Sequence, residues 1–212
     1  MESYSANVPS SLVSIALTLV LLFSIHLEPC KGSRILTQEP TNTNFIRTSC
    51  RKTTYPALCF SSLSPYASSI QTSPMQLAHR AVSAALKAAR STSKAMKTMS
   101  TQGGMSPRMA AAMSDCMETM GDSVDERKES MKVMRHMGGK DFGDQLSSIQ
   151  TWVSAAITND STCMDGFEGH AMDGQVKSAV RRHVMNVSQL TSNALALINS
   201  LAITAFSPTP WA

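Results

Sequence analysis

The sequence predicts an all-α protein: a four-helix bundle with a short helical hairpin on its N-terminal side. Three observations lead there. Four stretches between residues 73 and 201 carry apolar residues at alternating intervals of three and four, the spacing of helices with one buried face. Turn-forming residues separate these stretches by only a few positions, which makes successive helices antiparallel neighbours. Once the N-terminal apolar segment is set aside, four cysteines remain, Cys50, Cys59, Cys116 and Cys163, an even number that suits disulfides in an oxidising compartment.

The chain has 212 residues, room for one domain. Leu12–Ile25 is an apolar run of 14 residues, matching the central region of a secretory signal and short for a membrane span. Gly32 offers a cleavage point, so residues 1–32 are expected to be a signal peptide. A retained anchor is the alternative, since no Lys or Arg precedes the run. Cleavage removes Cys30, one lysine and two glutamates, taking the formal net charge from +4 to +5. Residues 33–44 are polar, with Pro40 and two asparagines, and are read as a flexible lead-in. The domain proper is expected over 45–203, and 204–212 as a C-terminal tail.

Phe45–Cys59 is too short to bury a core. Two helical turns joined by a bend at Pro56 and closed by a disulfide fit it, lying on something larger. The first bundle helix opens at Ser73-Pro74, a cap followed by a first-turn proline. Its stripe is Ala78, Val82, Ala85, Ala89, Thr92, Met96 and Met99. The second opens in the same way at Ser106-Pro107, carries Met109, Met113, Cys116, Met120, Val124, Met131 and Met134, and stops at Gly138-Gly139. Leu146, Ile149, Val153, Ala156 and Ile157 mark the third, which Asn159-Asp160 is expected to break just before Cys163. The fourth begins near Asp173 with Val176, Val180, His183, Val187, Leu190, Ala194, Leu197 and Leu201. Four cysteines allow three connectivities. Sequential pairing is the simplest, because Cys50 and Cys59 are near neighbours and antiparallel second and third helices carry Cys116 toward Cys163.

Several chemistries find no support. Neither cysteine pair has zinc-site spacing, and no metal or cofactor is expected. Ten of the 15 methionines fall between Met96 and Met137. Such tracts can bind Cu(I), but most of these sit on the predicted core stripe, where methionine is an adaptable filler. His183 lies on an apolar stripe without a second ligand nearby and is read as a packed, hydrogen-bonded side chain. No nucleophile elbow, zinc-protease or phosphate-loop motif is present, so the chain is not expected to be an enzyme. From Pro40 to Ser114 there is no Asp or Glu, while Arg47, Arg51, Lys52, Arg80, Lys87, Arg90, Lys94, Lys97 and Arg108 are basic. This face is either solvated or set against an acidic polymer. Nucleic acid is not an expected partner of a secreted chain, nor is a membrane once the signal is cleaved. Asn159-Asp160-Ser161 and Asn186-Val187-Ser188 are glycosylation sequons. The first is the better candidate if it lies at a helix end, the second being within a helix.

Phe45-Ile46-x-x-x-Cys50, Thr53-x-Tyr55-Pro56-x-Leu58-Cys59, Asp115-Cys116-x-Glu118, Trp152-Val153-Ser154-Ala155-Ala156 and Thr162-Cys163-x-Asp165-x-Phe167 occur in that order. Together with the cysteine register, they resemble the plant invertase and pectin methylesterase inhibitor family over about Phe45 to Leu201. The resemblance implies an up-down-up-down bundle with a projecting N-terminal hairpin, the pairs Cys50–Cys59 and Cys116–Cys163, and a secreted inhibitor of the plant cell wall. Two residues depart from the family pattern. Met120 stands where an aromatic residue is common. Arg127 stands where leucine is usual, and must snorkel out or find a partner such as Asp144.

Within the family, the second bundle helix and the cysteine-bearing turn after the third contact the target enzyme. The matching positions here are Glu118, Asp122, Asp125, Thr162 and Asp165. Asp115, Glu118, Asp122, Asp125 and Glu129 recur at threes and fours about 180° from the core stripe, so they form either an ordinary solvated face or an inhibitory ridge. The resemblance implies a stoichiometric inhibitor that plugs the pectin-binding cleft of pectin methylesterase. Acid invertase is the alternative target, but the Pro-Lys-Phe triplet that precedes the last cysteine in the invertase branch is missing. A bundle with a signalling or wall-structural role and no enzyme target is the third reading. The same domain also serves as a pro-region of pectin methylesterases, and with no catalytic domain after Ala212 a free-standing inhibitor is expected. Pectin is the acidic polymer this implies for the basic face.

Overall fold

A computed structural model describes residues 41–206, with side chains to residue 203. The expected signal peptide, most of the lead-in and the end of the tail lie outside the described residues. All regular structure among the described residues is helical. Helices α1 (Thr41–Cys50), α2 (Pro56–Leu63) and the single turn α3 (Ala67–Ile70) form the N-terminal section. Helices α4 (Pro74–Ser100), α5 (Pro107–Met134), α6 (Phe142–Asp165) and α7 (Gln175–Phe206) form the bundle. Each bundle helix packs on its two neighbours in chain order, and α7 closes the ring against α4. The hairpin lies on α4 and α7.

The caps form as their sequences require. Ser73 Oγ accepts from the Gln76 amide at 3.3 Å, and Ser106 Oγ from the Met109 amide at 3.2 Å. In each case proline follows at the first helical position, where no amide is needed. Both disulfides pair sequentially, Cys50 with Cys59 and Cys116 with Cys163, their Cα atoms 5.5 and 4.1 Å apart. The hairpin is fastened by its own apolar residues, Ile46, Leu63 and Ile70, in one core with Leu77, Val82, Leu197 and Ile198. The Asn193 side chain adds a two-way clamp, accepting from the Tyr55 amide at 2.9 Å and donating to the Tyr55 carbonyl at 3.0 Å.

Two apolar clusters fill the bundle. One, at the hairpin end, includes Leu77, Val82, Met134, Leu146, Ile149, Val153 and Leu197. The other, at the Cys116–Cys163 end, includes Met96, Met113, Met120, Phe167, Met172, Val180, Val184 and Val187. Met96, Met113 and Met120 are buried there, and Met96 Sδ lies 3.6 Å from Cys116 Sγ. The methionine tract is therefore largely core, and no group of three or more His, Cys, Asp or Glu among the described residues could hold a metal ion. None of the described helices is long and apolar enough to cross a membrane.

Some boundaries differ from the sequence reading. Thr41–Asn44, assigned to the flexible lead-in, begin α1. Helix α5 ends at Met134, short of the two glycines. Asn159-Asp160 does not break α6, which continues to Asp165 because Asp160 and Cys163 prolong its buried stripe. Residues 204–206, assigned to the tail, still belong to α7. His183 is only half-buried: the stripe passes through Val184, and His183 flanks it.

Candidate functional site

Helix α5 has two chemically opposite faces. Outward, Asp115, Glu118, Asp122, Asp125 and Glu129 are all exposed, as the three-and-four spacing requires. The far half of this ridge is neutralised: Asp125 accepts from Lys128 Nζ at 2.6 Å, and Glu129 pairs with Lys132 at 3.5 Å. Asp115, Glu118 and Asp122 have no cationic partner among the described residues, so the near half keeps its negative charge. That half lies at the Cys116–Cys163 disulfide, which ties the first turns of α5 to the last turn of α6. Thr162 and Asp165 are exposed on this last turn. Glu118 sits two residues from one bridged cysteine, and Thr162 and Asp165 sit one and two from the other. The bridge thus gathers the predicted contact residues at one end of the α5–α6 pair. Asp125 is farther along and already paired.

Inward, the same helix carries a buried polar layer. Arg127 and Asp160 are both 0% exposed and pair at 2.6 Å. Arg127 Nε and a terminal nitrogen donate to Thr191 Oγ1 at 3.1 and 2.6 Å. The other terminal nitrogen donates to the Ser123 carbonyl at 2.8 Å and to Ser123 Oγ. All five guanidinium N–H groups are thus used, which is what a buried arginine needs. Ser123 Oγ donates to Asp160 Oδ1 at 2.5 Å, and Thr191 Oγ1 to the Val187 carbonyl at 2.7 Å. Burial pushes the Asp160 carboxyl up from its ordinary range and the Arg127 guanidinium down from its own, and the attraction between the two opposes both shifts. The expected alternatives for Arg127 are both corrected: it does not snorkel, and Asp144 is exposed and takes no part. Its partner comes from the Asn159-Asp160 dipeptide that looked like a helix stop. The signal was there, since Asp160 continues the spacing Val153, Ala156, Asp160, Cys163.

Beside this layer, the half-buried Glu126 accepts from Asn159 Nδ2 at 3.2 Å. Burial raises its carboxyl above the ordinary value, against the Asn159 hydrogen bond and the pull of Arg127. Asn159 therefore lies inside a helix with its amide engaged, not at a helix end, and Asn186 is the more exposed sequon asparagine.

Fold and surface together define a disulfide-stapled helical bundle that presents an acidic ridge. The family model for plant invertase/pectin methylesterase inhibitor matches residues 44–197, and the chain belongs to that family. It is 46% identical over 166 residues to the 21 kDa protein of Daucus carota, covering 77% of this chain and 86% of that one. It is 47% identical over 167 residues to pectinesterase inhibitor 10 of Arabidopsis thaliana, covering 77% of this chain and about half, 53%, of that one. The fold resembles the crystal structure of a mutant form of a pectin methylesterase inhibitor from Arabidopsis, with a TM-score of 0.59 and 21% identity, covering 73% of this chain and 95% of that one.

Proposed function

We propose that this protein is a secreted inhibitor of pectin methylesterase that forms a 1:1 complex and blocks the pectin-binding cleft through the charged end of the α5–α6 pair. The observation that carries the reading is the cluster of exposed carboxylates without cationic partners among the described residues, Asp115, Glu118 and Asp122, at the bridged end of α5 with Thr162 and Asp165. A cleft that binds polygalacturonate accepts extended negative charge, so an acidic ridge can occupy the substrate's place and be steered there electrostatically. Two relatives named as pectinesterase inhibitors, 47% and 44% identical, support the choice of target. So does the sequence before Cys163, Asp160-Ser161-Thr162, which lacks the triplet of the invertase branch. Secretion rests on the apolar run Leu12–Ile25 and on two disulfides. Pectin, a second partner, would meet the basic residues rather than the acidic ones.

The test adds the purified protein separately to a pectin methylesterase and to an acid invertase. Inhibition of the first alone is expected, saturating at one molecule per enzyme. Glu118→Ala, Asp122→Ala and Asp125→Ala together should leave the fold intact, because exposed substitutions usually change stability by less than about 0.5 kcal/mol. The same variant should inhibit less, with a flatter dependence on salt. A folded variant that inhibits like the parent shows that Glu118, Asp122 and Asp125 are not the contact.

A further inference from the structure

The nine basic residues counted between Pro40 and Ser114 do not behave alike in the fold. Arg47 stacks on the Phe60 ring at 4.0 Å, and Arg80 lies over Tyr66 at 5.5 Å. Lys87, Arg90, Lys94 and Lys97 are instead exposed along α4, at intervals of three, four and three. At 100° per residue they centre about 130° from the buried stripe of Ala78, Val82, Ala85 and Ala89 and extend for about 15 Å. The lysines of α5 and α7 are instead locally paired: Lys128 with Asp125, Lys132 with Glu129 and Lys177 with Asp173. Helix α4 contains no Asp or Glu, and none of its four outward cations has an acidic partner among the described residues. Four adjacent cations repel one another, and a straight row of them is best offset by an extended polyanion. Successive charges are about 4.5–6 Å apart along the axis, comparable to the sugar repeat of an extended acidic polysaccharide.

We infer that this face of α4 is a docking strip for polygalacturonate, the polycarboxylate left when pectin loses its methyl esters. The inference rests on the proposed secretion and esterase target for its choice of polymer. Hydrolysis of each ester releases methanol and leaves a carboxylate on the chain, so the strip has nothing to pair with before the esterase acts and a growing row of charges afterwards. The inhibitor then accumulates where its target has already worked. Enzyme binding and polymer binding use different helices, so both occur at once.

The experiment measures binding to soluble polygalacturonate and to the same polymer fully methyl-esterified, without enzyme. Binding to the acid form at low ionic strength is expected, with loss on esterification or in high salt. Lys87→Gln, Arg90→Gln, Lys94→Gln and Lys97→Gln together should weaken it at least about tenfold, since each cation held at an anionic surface contributes several-fold. Lys128→Gln with Lys132→Gln, already paired residues, should leave it unchanged. In the unsubstituted protein, polymer should protect Lys87, Lys94 and Lys97 from acetylation, a readout independent of how the variant folds. Equal binding of the esterified polymer, full binding by the fourfold variant, or equally tight and salt-resistant binding to phosphatidylserine vesicles would each overturn the inference. Esterase inhibition is assayed in parallel: if the parent fails to inhibit, the inhibitor reading falls while the polymer result stands.

Discussion

Arg127 is the residue at which sequence logic and packing logic diverge most. Its position on the core stripe was legible, but its partner was not. Asp160 follows an asparagine, and local propensity made that pair a helix stop. A buried guanidinium supplied the tertiary reason for helix to continue through both. Removing one half of such a pair strands a charge, so Asp160→Ala is expected to cost about 3–5 kcal/mol in chemical denaturation. Replacing the whole layer with apolar residues (Ser123→Ala, Arg127→Leu, Asp160→Leu and Thr191→Val) should give stability at or above the parent's. If Asp160→Ala unfolds at the parent's denaturant concentration, the network is not held as described. Glu126 gives a second residue-scale prediction. Because burial raises its carboxyl in the folded state, the stability it contributes is complete below its unfolded pKa and is lost as pH rises through the folded one. Glu126→Gln keeps an acceptor for Asn159 without the charge. Its urea midpoint should match the parent's below about pH 4 and exceed it at pH 7. A variant weaker than the parent at pH 7 would reverse the assignment.

At the scale of elements, the disulfides divide their labour by loop length. Cys50–Cys59 spans 9 positions and Cys116–Cys163 spans 47. In the chain-entropy model these loops contribute about 2.7 and 4.1 kcal/mol. The Cys116→Ser, Cys163→Ser double variant should therefore melt below the Cys50→Ser, Cys59→Ser one, and equal losses would show that strain or local packing dominates. Helices α4 to α7 were legible because each carries a long periodic stripe, and Ser73-Pro74 and Ser106-Pro107 announced their starts. Thr41–Asn44 was not legible as helix: its composition is polar, and α1 is held by Ile46 and Cys50, which lie beyond it. The Asn193 clamp on Tyr55 was equally hidden, since it joins residues 138 positions apart. Asn193→Ala strands the Tyr55 amide and is expected to cost about 1–3 kcal/mol, with faster hydrogen exchange at Tyr55. Unchanged exchange there would mean that the apolar contacts alone seat the hairpin.

For the whole molecule, the polar layer lies between two apolar halves, and it acts as a keyway. Sliding α5 one turn along α6 would carry the guanidinium about 5.4 Å from its carboxylate into oil on one side or the other. A purely apolar layer carries no such penalty, so the alignment then rests on side-chain packing and the bridge alone. What the keyway holds in phase at the surface is Glu118 and Asp122 on one helix with Thr162 and Asp165 on the next. The bridge pins only one point of that seam. The apolar replacement of the layer should therefore melt no lower than the parent yet bind the esterase more weakly, with exchange-broadened amide resonances along the α5–α6 seam. Full inhibition by that stable variant would mean that the bridge and side-chain packing set the phase without help from the buried charge pair.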